Sequence, residues 1–191
     1  MISAIDTMNI PHSNRKRALF VIDVQPAFVL PEGEFALTNI QKLINSMPYD
    51  LYVESLFYCD EDSMWGKQTD ERLHPRDEGF QTLPLIRTLL ENHPCVRVEK
   101  HTKSAFKGDR DLVAILRQQS IEEIHIVGYD TDDCVFATAS EAFDLGYFTY
   151  VIEECTSSGS GNEMRERALA ILRNVCLTNN SCVEKINILE V

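Results

Sequence analysis

Apolar residues fall along the chain in short runs, the first of them unbroken, separated by stretches where they recur every three or four positions. The runs are Ala18-Leu19-Phe20-Val21-Ile22, Leu51 to Tyr58, Cys95 to Val98, Ile124 to Val127 and Tyr147 to Ile152, with a last one near Val175 to Thr178. Unbroken rather than alternating apolar runs belong to strands buried on both faces, as in parallel sheets. The stretches 37–46, 80–90, 111–119, 134–145 and 162–173 read as helices, closed by breakers such as Pro48, Asn92-His93-Pro94 and Gly146. Strand and helix thus alternate. The pattern predicts an α/β fold, a doubly wound and mainly parallel six-stranded sheet with helices on both faces.

Two segments stand outside this alternation. Residues 1–16 are polar and without period, an expected loose arm before a single domain over 17–191. The stretch 59–78, CDEDSMWGKQTDERLHPRDE, has no period either, and a loop that long is usually functional or mobile. It holds Trp65, the chain's only tryptophan, placed to wall a pocket or to anchor the loop.

Composition narrows the function classes. With 191 residues, 44% of them hydrophobic, the chain has material for one sizeable core. A formal net charge of −12 excludes a nucleic-acid or anionic-membrane surface and leaves a small-molecule substrate as the expected partner. No apolar run reaches transmembrane length and no signal-peptide core opens the chain, so a cytoplasmic protein is expected. The six cysteines are irregularly spaced and expected to be reduced. The five histidines are scattered, so no metal is expected. No glycine-rich nucleotide motif is present, and no cofactor is expected. Ser158-Gly159-Ser160-Gly161 has the wrong flanks for a serine nucleophile elbow.

Candidate chemistry lies at the ends of the runs. Residues 124–151 read strand–turn–helix–strand, with Cys134 where strand passes into helix. There the helix dipole and converging N–H groups favour a thiolate. The competing reading is a buried small hydrophobe. The polar turn Asp130-Thr131-Asp132-Asp133 speaks against burial, but its acids do not lower a thiol pKa, so a cation has to come from elsewhere. Asp23 closes the first apolar run, either as a site carboxylate or as a loop cap. Lys100 follows the 95–98 run, whereas Lys103 and Lys107 read as solvated. Asp23, Lys100 and Cys134 then share the carboxyl edge of the sheet, where open α/β folds build their sites.

Three motifs carry a family resemblance: FVIDVQPAF (20–28), VEKHTKSAF (98–106) and VGYDTDDCVFATASEAFDLGY (127–147). Over roughly residues 17–178 the chain resembles the isochorismatase-like cysteine hydrolases, among them nicotinamidases, carbamoylsarcosine amidase and isochorismatases. The resemblance implies a catalytic triad of Asp23, Lys100 and Cys134, with Lys100 as the missing cation. It implies an oxyanion hole from the backbone N–H groups of Asp130 and Cys134, a cis peptide at Tyr129–Asp130, and a homo-oligomer. Phe28, Trp65 and Tyr129 are the expected substrate pocket. Where nicotinamidases carry an Asp-x-His metal motif, this chain has Cys59-Asp60-Glu61-Asp62; Glu141 and Glu154 stand at positions where the family often has a smaller acid. Three functions remain open at this stage. They are hydrolysis of a small amide, ureide or related C–N substrate through a Cys134 thioester, vinyl-ether hydrolysis with Asp23 as acid, and a non-catalytic binding role.

Overall fold

The structure, a computed structural model, describes residues 14–175 and 183–184. Six strands, β1 (Arg17–Ile22), β2 (Leu51–Phe57), β3 (Cys95–Lys100), β4 (Glu123–Gly128), β5 (Phe148–Thr156) and β6 (Val183–Glu184), form one sheet in the order β3-β2-β1-β4-β5-β6. Every pairing is parallel. Six helices connect them: α1 (Glu34–Ser46), α2 (Met64–Thr69), α3 (Pro84–Leu90), α4 (Leu112–Gln118), α5 (Phe136–Asp144) and α6 (Asn162–Val175). No helix among the described residues is long and apolar enough to cross a membrane.

Strand β1 shows why its run is unbroken. Ala18, Phe20 and Ile22 point into one core with Leu112, Leu116 and Ala139 from α4 and α5. Leu19 and Val21 point into the other, with Ile40, Leu43 and Ile86 from α1 and α3. Ala18 to Ile22 are all fully buried, so period-two alternation of polarity is absent while period-two alternation of destination remains. Burying each such side chain stabilises the fold by about 1.5–3 kcal/mol.

The strand order reverses between β1 and β4, where the connections diverge to opposite sides of the sheet. That leaves a crevice at their carboxyl ends. Gly128, at φ +116, faces Ile22 across it, and a Cβ there would come within 2.0 Å of the Ile22 carbonyl oxygen.

Several expected boundaries are corrected. The 59–78 stretch is not structureless: Ser63 caps α2 by accepting the Gly66 N–H, and Asp70, at φ 59, ends it. At six residues this helix is too short to display a period. Helix α3 starts at Pro84, not 80. A residue before proline avoids helical geometry, and Leu83 is extended, donating its N–H to the Val24 carbonyl at 2.9 Å. Helix α6 runs through Val175, the first residue of the strand expected near 175–178, and a sixth strand is formed by Val183–Glu184 inside the expected tail. Residues 176–178 lie outside the described residues.

Candidate active site

Asp23, the residue after β1, takes the left-handed conformation (φ 48) and anchors its N–H on the Ser55 carbonyl at 3.1 Å. Its Oδ1 accepts from the Ser55 hydroxyl at 2.7 Å. Lys100, the last residue of β3, reaches across β2 and donates to Asp23 Oδ2 at 2.6 Å and to the Thr102 carbonyl at 3.2 Å. The same Nζ lies 3.3 Å from Cys134 Sγ and 5.1 Å from the centre of the Phe57 ring. Cys134 sits in a π-helical turn, Thr131–Val135, between β4 and α5, in which the Asp133 and Val135 amides donate to the Asp130 carbonyl. The peptide Tyr129–Asp130 entering this turn is cis. The structure therefore brings Asp23, Lys100 and Cys134 together from three strand ends.

All three are buried: Asp23 and Lys100 are 1% exposed and Cys134 is 7%. Burial opposes the Lys100 charge most strongly, but Asp23 and Cys134 together more than offset it and hold the ammonium above the ordinary lysine range. The thiol goes the other way. Burial, and then the Asp23 charge, push Cys134 well above the usual cysteine range, with Lys100 opposing. Burial therefore favours a neutral thiol beside the Asp23–Lys100 pair and opposes the thiolate that the helix dipole favours. Cys134 also belongs to the apolar core, so the two competing readings of this residue, reactive thiol and buried hydrophobe, describe one position.

These groups open on a cleft of about 730 Å³. Phe28, Trp65 and Tyr129, the expected pocket residues, all line it. Phe57 packs edge-on against Phe28 at 5.9 Å and Trp65 at 6.5 Å. The Trp65 indole donates to Glu71 at 2.7 Å, and the Lys103 ammonium lies 3.9 Å above its ring. Lys103 also pairs with Asp133, and Lys107 pairs with Glu141 at 2.8 Å, so neither lysine is merely solvated. The Tyr129 hydroxyl turns away to the Gly33 carbonyl at 2.7 Å, leaving its ring as wall. Asp130 accepts the Gly159 N–H at 2.8 Å. Burial, reinforced by Asp132, Asp133 and Asp23, lifts its carboxyl to about 6.

Four polar residues also frame the site, of which Gln25 lies within the first family motif, Thr131 and Thr138 lie within the third, and Ser55 lies in none. Gln25 donates to the Phe57 and Phe80 carbonyls at 3.0 and 2.6 Å and accepts the Phe57 N–H at 2.7 Å. Ser55 holds Asp23. Thr131 ties the cysteine turn to β5 through the Ser157 carbonyl at 3.0 Å. Thr138 accepts the Ala105 N–H at 3.1 Å, fixing the segment after Lys100 on α5. The available signal was polarity in apolar context, as in Ser55 within Leu51-Tyr52-Val53-Glu54-Ser55-Leu56-Phe57.

The residues after β2 do not fit a nicotinamidase-type metal. Asp60 Oδ1 is already occupied by the N–H groups of Asp62 and Ser63 at 3.1 and 2.8 Å, and Glu61 faces Arg72 at 3.7 Å. Among the described residues no group of three or more His, Cys, Asp or Glu side chains could hold a metal ion.

A doubly wound parallel sheet with a thiol, a carboxylate and an ammonium joined at its switch point defines a class of α/β protein with a cysteine-centred cleft. Comparison with known proteins gives the family. The isochorismatase domain model matches residues 17–181, and the chain belongs to the isochorismatase family. It is 29% identical, over 75% of its length and 74% of the relative's, to the uncharacterised isochorismatase family protein YrdC of Bacillus subtilis. The crystal structure of a nicotinamidase from the same organism superposes with a TM-score of 0.71 at 26% identity, covering 83% of this chain and 95% of that one. N-carbamoylsarcosine amidase from Thermoplasma acidophilum shares the fold, with a TM-score of 0.69 at 22% identity over 82% and 92% of the two chains.

Proposed function

We propose that the protein is a cysteine hydrolase of a small amide, ureide or related C–N substrate. The observation that carries this reading is the unbroken contact chain Asp23 Oδ2–Lys100 Nζ–Cys134 Sγ, at 2.6 and 3.3 Å, opening on the cleft. Asp23 takes the thiol proton as sulfur attacks the substrate carbonyl. Lys100 stays charged and stabilises the sulfur as it loses that proton. The tetrahedral oxyanion is received by the backbone N–H groups of Asp130 and Cys134. The Asp130 amide makes no hydrogen bond to another described residue, which suits this role. Asp23 then protonates the leaving nitrogen, the C–N bond breaks, and water hydrolyses the Cys134 thioester. Membership of the isochorismatase family and likeness to a nicotinamidase support hydrolysis at an amide carbon.

The test is a screen of small amides and ureides against wild type, Cys134→Ala and Asp23→Asn. Both variants should lose turnover by about 10³-fold or more, since each removes a group needed in the same step. A slow substrate should leave an acyl mass on the peptide containing Cys134. Cys134→Ala retaining most of the wild-type rate would overturn the thioester route.

A further inference from the structure

Among the carboxylates that line the cleft, three face no cation: Asp130, Asp132 and Glu71. Asp23 faces Lys100 and Ser55, and Asp133 faces Lys103. Asp132 accepts from the Ser158 hydroxyl, and Glu71 accepts the Trp65 indole N–H. The two cations on the cleft wall are also engaged. Lys103 is held between Asp133 and the Trp65 ring, while Arg72 donates to the Gly66 and Glu71 carbonyls at 2.8 and 2.7 Å. Asp130 receives only the Gly159 N–H, on Oδ1, and nothing among the described residues donates to its Oδ2.

We infer that the Asp130 side chain is a specificity-determining group, receiving a protonated amine or other N–H donor carried by the substrate close to its scissile carbonyl. The inference rests on the reading of Cys134 as the reacting atom. It narrows the substrate to small amides that are cationic or rich in N–H donors, and it disfavours amides that carry a carboxylate. Three features converge on it. A mostly buried carboxylate with one hydrogen bond is undersatisfied, and a cationic ligand supplies the missing partner. Phe28, Phe57 and Trp65 offer ring faces and edges on the same cleft, and aromatic faces attract cations. Asp132, Asp133, Glu71 and Asp23 line the cleft too, and although Lys100 and Lys103 pair with two of them, the wall keeps an acidic excess that disfavours an anionic ligand. The elevation of the Asp130 carboxyl agrees with an uncompensated charge. The same residue offers a backbone N–H toward the developing oxyanion, so one position would contact both the donor group and the reacting carbonyl.

The test uses charged thiol reagents and no substrate. Cys134 and the exposed Cys95 are labelled in the wild-type protein at pH 8 with a cationic reagent, 2-aminoethyl methanethiosulfonate, and an anionic one, 2-sulfonatoethyl methanethiosulfonate. The cationic-to-anionic rate ratio at Cys134 should exceed that at Cys95 by about tenfold. In Asp130→Asn, which can still accept the Gly159 N–H, the Cys134 ratio should fall by about threefold or more. Equal ratios at the two cysteines of wild type would overturn the inference, and this arm needs no variant. A Cys134 ratio unchanged in Asp130→Asn would also overturn it, assigning the charge preference to the other acids. Neither readout involves turnover. A protein that labels as expected but hydrolyses nothing would lose the hydrolase reading alone, and one that hydrolyses amides without charge preference would lose only this inference.

Discussion

A buried ammonium is tolerable only while a carboxylate faces it, and Lys100 and Asp23 depend on each other in that sense. Replacing Lys100 with Met leaves the Asp23 carboxylate buried with Ser55 as its remaining side-chain donor. That should cost about 3–5 kcal/mol, read as a lower urea midpoint. Adding Asp23→Asn should recover part of the loss, and additive losses would show that the pair is not coupled. At this scale the sequence was informative about position and silent about state. Asp23, Lys100 and Cys134 could be placed at strand ends from the apolar runs and from the family motifs. The burial that disfavours a thiolate at Cys134 is not legible there, because it depends on the packing of α5 and β4 around the turn. Lys103 was misjudged for a related reason: its partners, Trp65 and Asp133, are distant in the chain.

At the scale of elements, Gln25 joins β1 to the segment that walls the cleft. Its side chain bonds both the last residue of β2 and Phe80, which closes the long connection ahead of α3. Gln25→Ala should leave buried backbone groups unpaired and destabilise the protein by about 2–4 kcal/mol. It should also expose residues 59–80 to protease before the rest of the domain. Uniform cleavage across the domain, or no change in the denaturant midpoint, would refute that role. Five of the six strands are legible in outline from mainly apolar runs, because packing on both faces leaves few polar positions to interrupt them, as in β1, where Ala18 to Ile22 are all apolar. The elements that escaped notice were α2, six residues long, and β6, two residues long, each too short to carry a pattern. The start of α3 was misjudged because Pro84 opens a helix whose preceding residues are tied to the β1 end.

For the molecule as a whole, the site imposes a stability cost that varies with pH. The Asp130 carboxyl is lifted to about 6 in the folded state from an ordinary 3.8. Between those values the folded chain binds more protons than the unfolded one, so stability falls as pH rises through this window and stays lower above it. A shift of about two units corresponds to roughly 2–3 kcal/mol. Asp130→Asn should therefore raise the melting temperature at pH 8 and change it little at pH 4, as followed by calorimetry. A variant no more stable than wild type at pH 8 would mean that the carboxylate is better solvated than its surroundings imply. The architecture itself was readable, since strand–helix alternation leaves few alternatives to a doubly wound sheet. The strand order, and with it the crevice between β1 and β4, rests on tertiary pairing that no single stretch encodes.

The contact between Gly128 and Ile22 has a consequence for how this protein can diverge. The two strands that deliver the carboxylate and the thiol approach so closely that a methyl group at 128 would overlap a peptide oxygen. Most positions around a cleft can drift toward new substrates by exchanging side chains. This one cannot accept even the smallest without prising the acid-bearing strand from the sulfur-bearing one. Its hydrogen atom acts as a spacer of fixed thickness, and a lineage could remodel every wall of the cleft while this gap stayed constant.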